Sequence, residues 1–219
     1  MTSALRKNRK IPAVPSVAEV LAEARAHDWG VPIHFDSSWT PENLREWTRA
    51  FARRYGTFQI VREDETQVRV RFDSGEINVP LLGGSIPDEA AAQHTVAHAS
   101  PNHEAFAEFI LVRPDLDPRH MLLHLFHELG HYRYFVENFE TLRFADSCAA
   151  LTERFAIIYS FKELCERRMF ECIGMQIDSM EAELAAETAG ANREVYESLV
   201  ETGELALWKV IASGGIERI

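Results

Sequence analysis

Between residues 121 and 129 the chain carries apolar side chains at Met121, Leu122, Leu123, Leu125, Phe126 and Leu129. A helix built from them is covered around nearly its whole circumference, the pattern of a helix buried on every side. Asp117-Pro118 supplies its start, an N-cap acceptor followed by proline at the first helical position. Residues 142–165 repeat this apolar density and predict a second long helix. Its face around Glu153 is made of Ala149, Ala150, Ala156, Ile157 and Ser160, mostly small residues that allow a close approach to a neighbour.

Upstream, residues 16–27 read as an amphipathic helix capped by Ser16, and Thr40-Pro41 opens another that runs to about Tyr55. Alternating stretches at 57–62, 67–72 and 76–82 predict strands joined by polar turns, with Val68, Val70 and Phe72 on the buried face. Residues 107–112 predict a further strand, taken as the sheet edge, directly before the first buried helix. Residues 83–103 contain Gly83-Gly84, Pro87 and Pro101 and read as a long polar loop, a lid over a cleft. Beyond Cys165 the helical pattern continues through 181–189 and 193–208 until Ser213-Gly214-Gly215. Tyr196, Leu199, Leu205, Leu207 and Trp208 in this stretch read as core residues. The fold class is α+β, and residues 1–13 read as a disordered tail.

Chemistry enters with His127-Glu128-Leu129-Gly130-His131, an HExxH motif on the buried helix. Residues four apart share a helical face, so both imidazoles can meet one cation, while Glu128 stands about 100° around the axis, beside the ion. Two histidines and a glutamate in apolar surroundings need a partner, and a divalent cation provides one. Two imidazoles, a carboxylate and an open position suit zinc, and iron(II) would use a similar ligand set. The third ligand must come from another element. Glu153 on the second long helix is the first choice, and Asp146, two turns earlier, is the alternative ligand or a hydrogen-bond acceptor for a zinc-bound histidine. The competing arrangement for Glu153 is a buried ion pair with Arg143 or Arg154. Glu137 and Glu140 belong to a polar turn between the helices. His124 shares the face of His127 and His131, but 124 to 131 spans about 10.5 Å of axis, too far for one straight helix to give three ligands to one ion. His120 belongs near the exposed helix start. In the loop, His94, His98 and His103, with Glu89 and Glu104, are weaker candidates for a second metal. His103, Tyr132 and Tyr159 compete as stabilisers of an oxyanion.

The net charge of −11 argues against direct nucleic-acid binding. The basic cluster Arg6, Lys7, Arg9, Lys10 reads as a solvated tail. Cys148, Cys165 and Cys172 have no CxxC spacing and read as free thiols in a reducing compartment. No apolar run approaches the ~18 residues needed to span a bilayer, and no signal-peptide pattern is seen, so a cytoplasmic location is expected.

Residues 109–132, FILVRPDLDPRHMLLHLFHELGHY, resemble the ImmA/IrrE metallo-endopeptidases, and the resemblance extends over about 57–165. It implies a zincin-like fold with a thermolysin-like core (gluzincin-like): a small antiparallel or mixed sheet packed on the HExxH helix, with additional C-terminal helices. The zincin-like metallopeptidase domain would span 14–165. Residues 166–219 would form a helical extension, packed on the same domain or serving as an interaction surface, for a homodimer for example. The family places a glutamate ligand on the following helix, in a segment that Glu153-Arg-Phe-Ala156-Ile-Ile-Tyr159 matches in part. The implied activity is cleavage of a protein or peptide substrate by water activated at zinc by Glu128. Many relatives act in prophage or stress-response regulation on helix-turn-helix repressors; this chain has no such segment, so a repressor substrate would be a separate protein. The alternative is a zincin-fold binding or regulatory module without proteolysis, as in phage or toxin–antitoxin interaction proteins. A closed structural zinc site is disfavoured, since no cysteine lies near the motif.

Overall fold

The computed structural model describes residues 14–99, 103–144 and 149–214. The expected disordered tail, Asp146 and Cys148 lie outside them. In chain order the elements are α1 (Val17–Ala26), β1 (Ile33–His34), β2 (Ser38–Trp39), α2 (Pro41–Tyr55), β3 (Gln59–Glu63), β4 (Gln67–Phe72), β5 (Gly75–Pro80), β6 (Gly84–Ser85), β7 (Ala92–Ala99), β8 (Glu104–Val112), α3 (Pro118–Glu137), α4 (Phe139–Leu142), α5 (Ala149–Glu166), α6 (Phe170–Ala185), a single 3-10 turn (Gly190–Asn192), α7 (Arg193–Glu201) and α8 (Glu204–Ala212). The class is mixed α+β. No helix among the described residues is long and apolar enough to cross a membrane.

Capping chemistry sets the helix starts. Ser16 and Glu19 form a reciprocal capping box at α1, Thr40 and Asn43 do the same at α2 before Pro41, and the Asp117 side chain accepts from the amides of Arg119 and His120 at α3. Gly56, in the left-handed region at φ 64°, ends α2.

Among the described residues three small sheets carry the strands. β3, β4 and β5 form an antiparallel meander, β2 pairs with β6, and the third sheet has the order β1-β8-β7. In that sheet β1 runs parallel to β8, with Ile33 opposite Ile110, and β7 runs antiparallel, with Thr95 opposite Phe109. β8 is therefore the central strand, and the expectation that it forms the edge is corrected: the short β1 and the longer β7 are the edges. Both faces of β8 are covered. Ile110 and Val112 join a core made with α1, α3, α5 and the C-terminal helices, while Ala107, Phe109 and Leu111 join a second core with α2 and the meander. A strand buried on two faces reads as a continuous apolar run, as the stretch AFAEFILV does. Trp47 of α2 stacks on Phe109 at 4.0 Å between ring centroids.

The expected long loop over 83–103 is also corrected, since it contains β6 and β7. β7 is rich in alanine and histidine, weak strand formers, and its extended state comes from pairing with β8 rather than from propensity. The expected single helix over 142–165 is divided: α4 ends at Leu142, residues 143 and 144 turn, and α5 begins at Ala149. The apolar residues of α3 are buried because α1, α5, α6, β7 and β8 all contact it. α6, α7 and α8 add Ile173, Ile177, Leu199 and Leu205 to the same core as α3, whereas Leu207 is exposed. Cys165 and Cys172 are free thiols.

Candidate metal centre

On α3 the four-residue spacing brings His127 and His131 together, with 3.1 Å between their Nε2 atoms. α5 crosses α3 where Gly130 meets Ala156, and this contact brings Glu153, one turn earlier on α5, within reach of both rings. Oε1 of Glu153 lies 3.4 Å from His127 Nε2, and Oε2 lies 3.4 Å from His131 Nε2. One ligand atom from each of the three residues lies within 4.8 Å of the others, so the group can hold a metal ion. Burial works against a charge on Glu153, but the hydrogen bonds from His127 and His131 outweigh it and hold the carboxyl well below the usual range. Burial likewise opposes the charged form of His127, and its contacts with Glu153 overcome that to raise its pKa.

The alternative partners of Glu153 are engaged elsewhere: Arg154 pairs with Glu204 at 2.8 Å and Arg143 with Glu140 at 3.5 Å. Among the described residues no second group of three metal-ligating side chains accompanies this triad. The loop histidines thus do not assemble a second site there. Glu137 and Glu140 are exposed, Glu137 at the end of α3 and Glu140 in α4.

Glu128 is buried in the wall of a cavity of about 420 Å³ that it shares with His131 and Glu153. Its Oε2 accepts the backbone N–H of His94 at 2.6 Å, so β7 is hydrogen-bonded directly to the carboxylate beside the triad. The His94 ring is fixed in turn, with Nε2 3.1 Å from Glu108 Oε1, and Tyr55 Oη donates to Glu108 Oε2 at 2.8 Å. Burial first, and the Glu108 carboxylate second, push the Tyr55 hydroxyl far up and keep it a donor. Glu108 has only 3% of its side chain exposed, so this chain of contacts is internal to the protein. The Tyr55–Glu108–His94 chain was not anticipated. Its one sequence signal is a lone glutamate in the apolar run of β8.

His124, three residues before His127, is partly buried, and burial pushes its pKa down to about 4, with His127 as the next cause. His120 is exposed and pairs with Asp117. None of the three expected oxyanion stabilisers lines the triad cavity. His103 is an exposed turn residue at φ 54° before β8, Tyr132 is wholly buried beneath the Arg54 guanidinium, and Tyr159 interacts with Glu163 and Arg133, its hydroxyl pushed up to about 12 mainly by burial. Polar residues that do line the cavity include His98, Tyr134 and Asn192.

No protein-family model, no curated protein and no solved structure matches this chain.

Proposed function

We propose that the chain is a zinc-dependent endopeptidase with a zincin-like core, as the resemblance to the ImmA/IrrE family implies. The observation that carries this reading is the convergence of His127, His131 and Glu153 beside the cavity wall formed by Glu128. The donor set fits the ion. Two imidazole nitrogens 3.1 Å apart can share one proton or one electrophile, and a carboxylate facing both supplies the charge a cation needs. A bound zinc ion supplies a Lewis acid that polarises a peptide carbonyl and lowers the pKa of water.

The chain's own residues supply the rest. Glu128 takes the proton as water oxygen adds to the peptide carbonyl carbon, then passes it to the amine nitrogen as the C–N bond breaks. The His94 amide holds Glu128 Oε2, fixing the direction in which the other oxygen receives that proton. The open edge of β7 offers backbone groups to an extended substrate segment. A regulator such as a separate helix-turn-helix repressor is the substrate class the resemblance favours.

The test compares zinc-loaded protein with Glu128→Gln on a peptide library. Parent cleavage with an inert, zinc-retaining variant supports the reading. Zinc binding by a parent that cleaves nothing would instead favour a zincin-fold binding module.

A further inference from the structure

β7 separates two cavities. Ala92, Gln93, His94 and Val96 line the cavity beside the His127–His131–Glu153 group, and Thr95, Ala97 and Ala99 line a second one, of about 370 Å³, with Thr95 and Ala97 on the opposite face from His94 and Val96. The register shifts between Ala97 and His98, and His98 borders both. The second cavity lies between β7 and β5, the edge strands of two different sheets, and Trp39, Ile77 and Phe106 contribute to its apolar wall. Leu82 at its rim is 66% exposed, a large apolar side chain left in water beside an apolar hollow.

The hydrogen bonding of β7 shows which backbone groups turn away from β8. Ala91 O accepts from Arg113 N across the β7–β8 pair, while His94 N–H turns away from β8 to Glu128. In an antiparallel ladder these directions alternate, so the N–H and C=O of Val96 also point to the open edge, on the side of the triad. An extended peptide that pairs with this edge has cross-strand neighbours on the same face. Its residue opposite Val96 then turns toward the triad. Its residue opposite Thr95 or Ala97 turns toward the apolar cavity.

Resting on the peptidase reading, we propose that the apolar cavity is a specificity pocket that takes a large apolar side chain of the substrate, leucine, phenylalanine or tryptophan, directly flanking the residue that faces the metal. The substrate class is an extended segment in which such a residue sits next to the scissile bond. Pairing with β7 binds any sequence, and the cavity selects among sequences.

The experiment is cleavage of a proteome-derived peptide library by the zinc-loaded full chain, with cut sites read by mass spectrometry. One position flanking the cut is expected to be enriched in large apolar residues by about tenfold, the order set by filling a hydrophobic pocket. Ala97→Phe, which fills the cavity from β7, should abolish that enrichment. Ile77→Asp, which changes only the opposite wall on β5, should shift it toward lysine and arginine. Zinc content equal to the parent's identifies variants that have folded, and either variant alone suffices. Cleavage without apolar enrichment, or enrichment that a folded variant leaves unchanged, overturns the pocket and leaves the peptidase reading standing. A zinc-loaded parent that cuts no peptide overturns both.

Discussion

Gly130 lies directly against Ala156: a Cβ at position 130 would stand 2.5 Å from the Ala156 Cα and 3.0 Å from its carbonyl oxygen. The obstacle is the backbone of α5, which no rotamer change can move. The absence of a side chain in the fourth position of the HExxH motif is thus what lets the two helices meet closely enough for Glu153 to reach both histidines.

Gly130→Ala follows from this contact. Alanine would favour the helix by about 1 kcal/mol, but overpacking against a rigid neighbour costs about 1–3 kcal/mol, so the variant should be less stable than the parent. The same displacement moves Glu153 outward and should weaken zinc binding by about tenfold or more. Denaturant titration and zinc competition measure the two effects. Unchanged zinc affinity would mean that the helix contact does not position the carboxylate.

Glu153→Ala and Glu128→Gln should part company on metal content. The first removes a ligand and should lose zinc on dialysis; the second leaves the triad intact and should retain it. In the parent, chelation should lower the melting temperature, since an ion present at about 1,000 times its Kd adds about 4 kcal/mol. If Glu153→Ala holds zinc like the parent, the third position passes to another carboxylate, for which Asp146 is the alternative.

Glu108 is buried with two partners, so removing it or one of them should have unequal effects. Tyr55→Phe leaves the carboxylate with His94 and should cost about 1.5–3 kcal/mol, the range for a hydrogen bond to a charged group. Glu108→Ala leaves both His94 and Tyr55 facing an unfilled space and should cost about 3–5 kcal/mol. Urea unfolding of the two variants provides the ranking, and equal losses would break the proposed chain of contacts.

His124 predicts a pH dependence. Its pKa is lowered from the ordinary 6.5 to about 4 by burial first and the neighbouring His127 second. Between those values the unfolded chain binds a proton that the folded chain does not. Its contribution to stability is therefore complete above about pH 6.5 and is lost as the pH falls toward 4. A His124→Gln variant should narrow the difference in stability between pH 7 and pH 5 by roughly 2 kcal/mol. Parallel curves for parent and variant, at the same metal occupancy, would remove His124 from the acid response.

The sequence made the helices legible because caps and apolar density coincide: Ser16, Thr40 and Asp117 each mark a helix start that the structure keeps. The grouping of His127, His131 and Glu153 was legible for a related reason, since HExxH fixes a local geometry and Glu153 stands among small residues. β7 was not legible. Its alanines and histidines carry no strand signal, and only pairing with β8 and contact with Glu128 hold it extended. With β7 hidden, β8 took the place of the edge strand. Whether His103, Tyr132 or Tyr159 approaches the cavity was not legible on the same ground, because which side chains line a cavity depends on tertiary packing that no local spacing encodes.

The parallel pairing of Ile33 with Ile110 joins chain segments far apart in sequence, whereas α3 and α5 are near in sequence, separated by the short α4. Long-range closures of this kind are slow steps in assembly, and local helix pairs come first. His127, His131 and Glu153 all belong to the local pair, so an ion can be captured before β1 is laid beside β8. A bound ion would then act as a template during folding, and refolding with a chelator present should be slower as well as less complete.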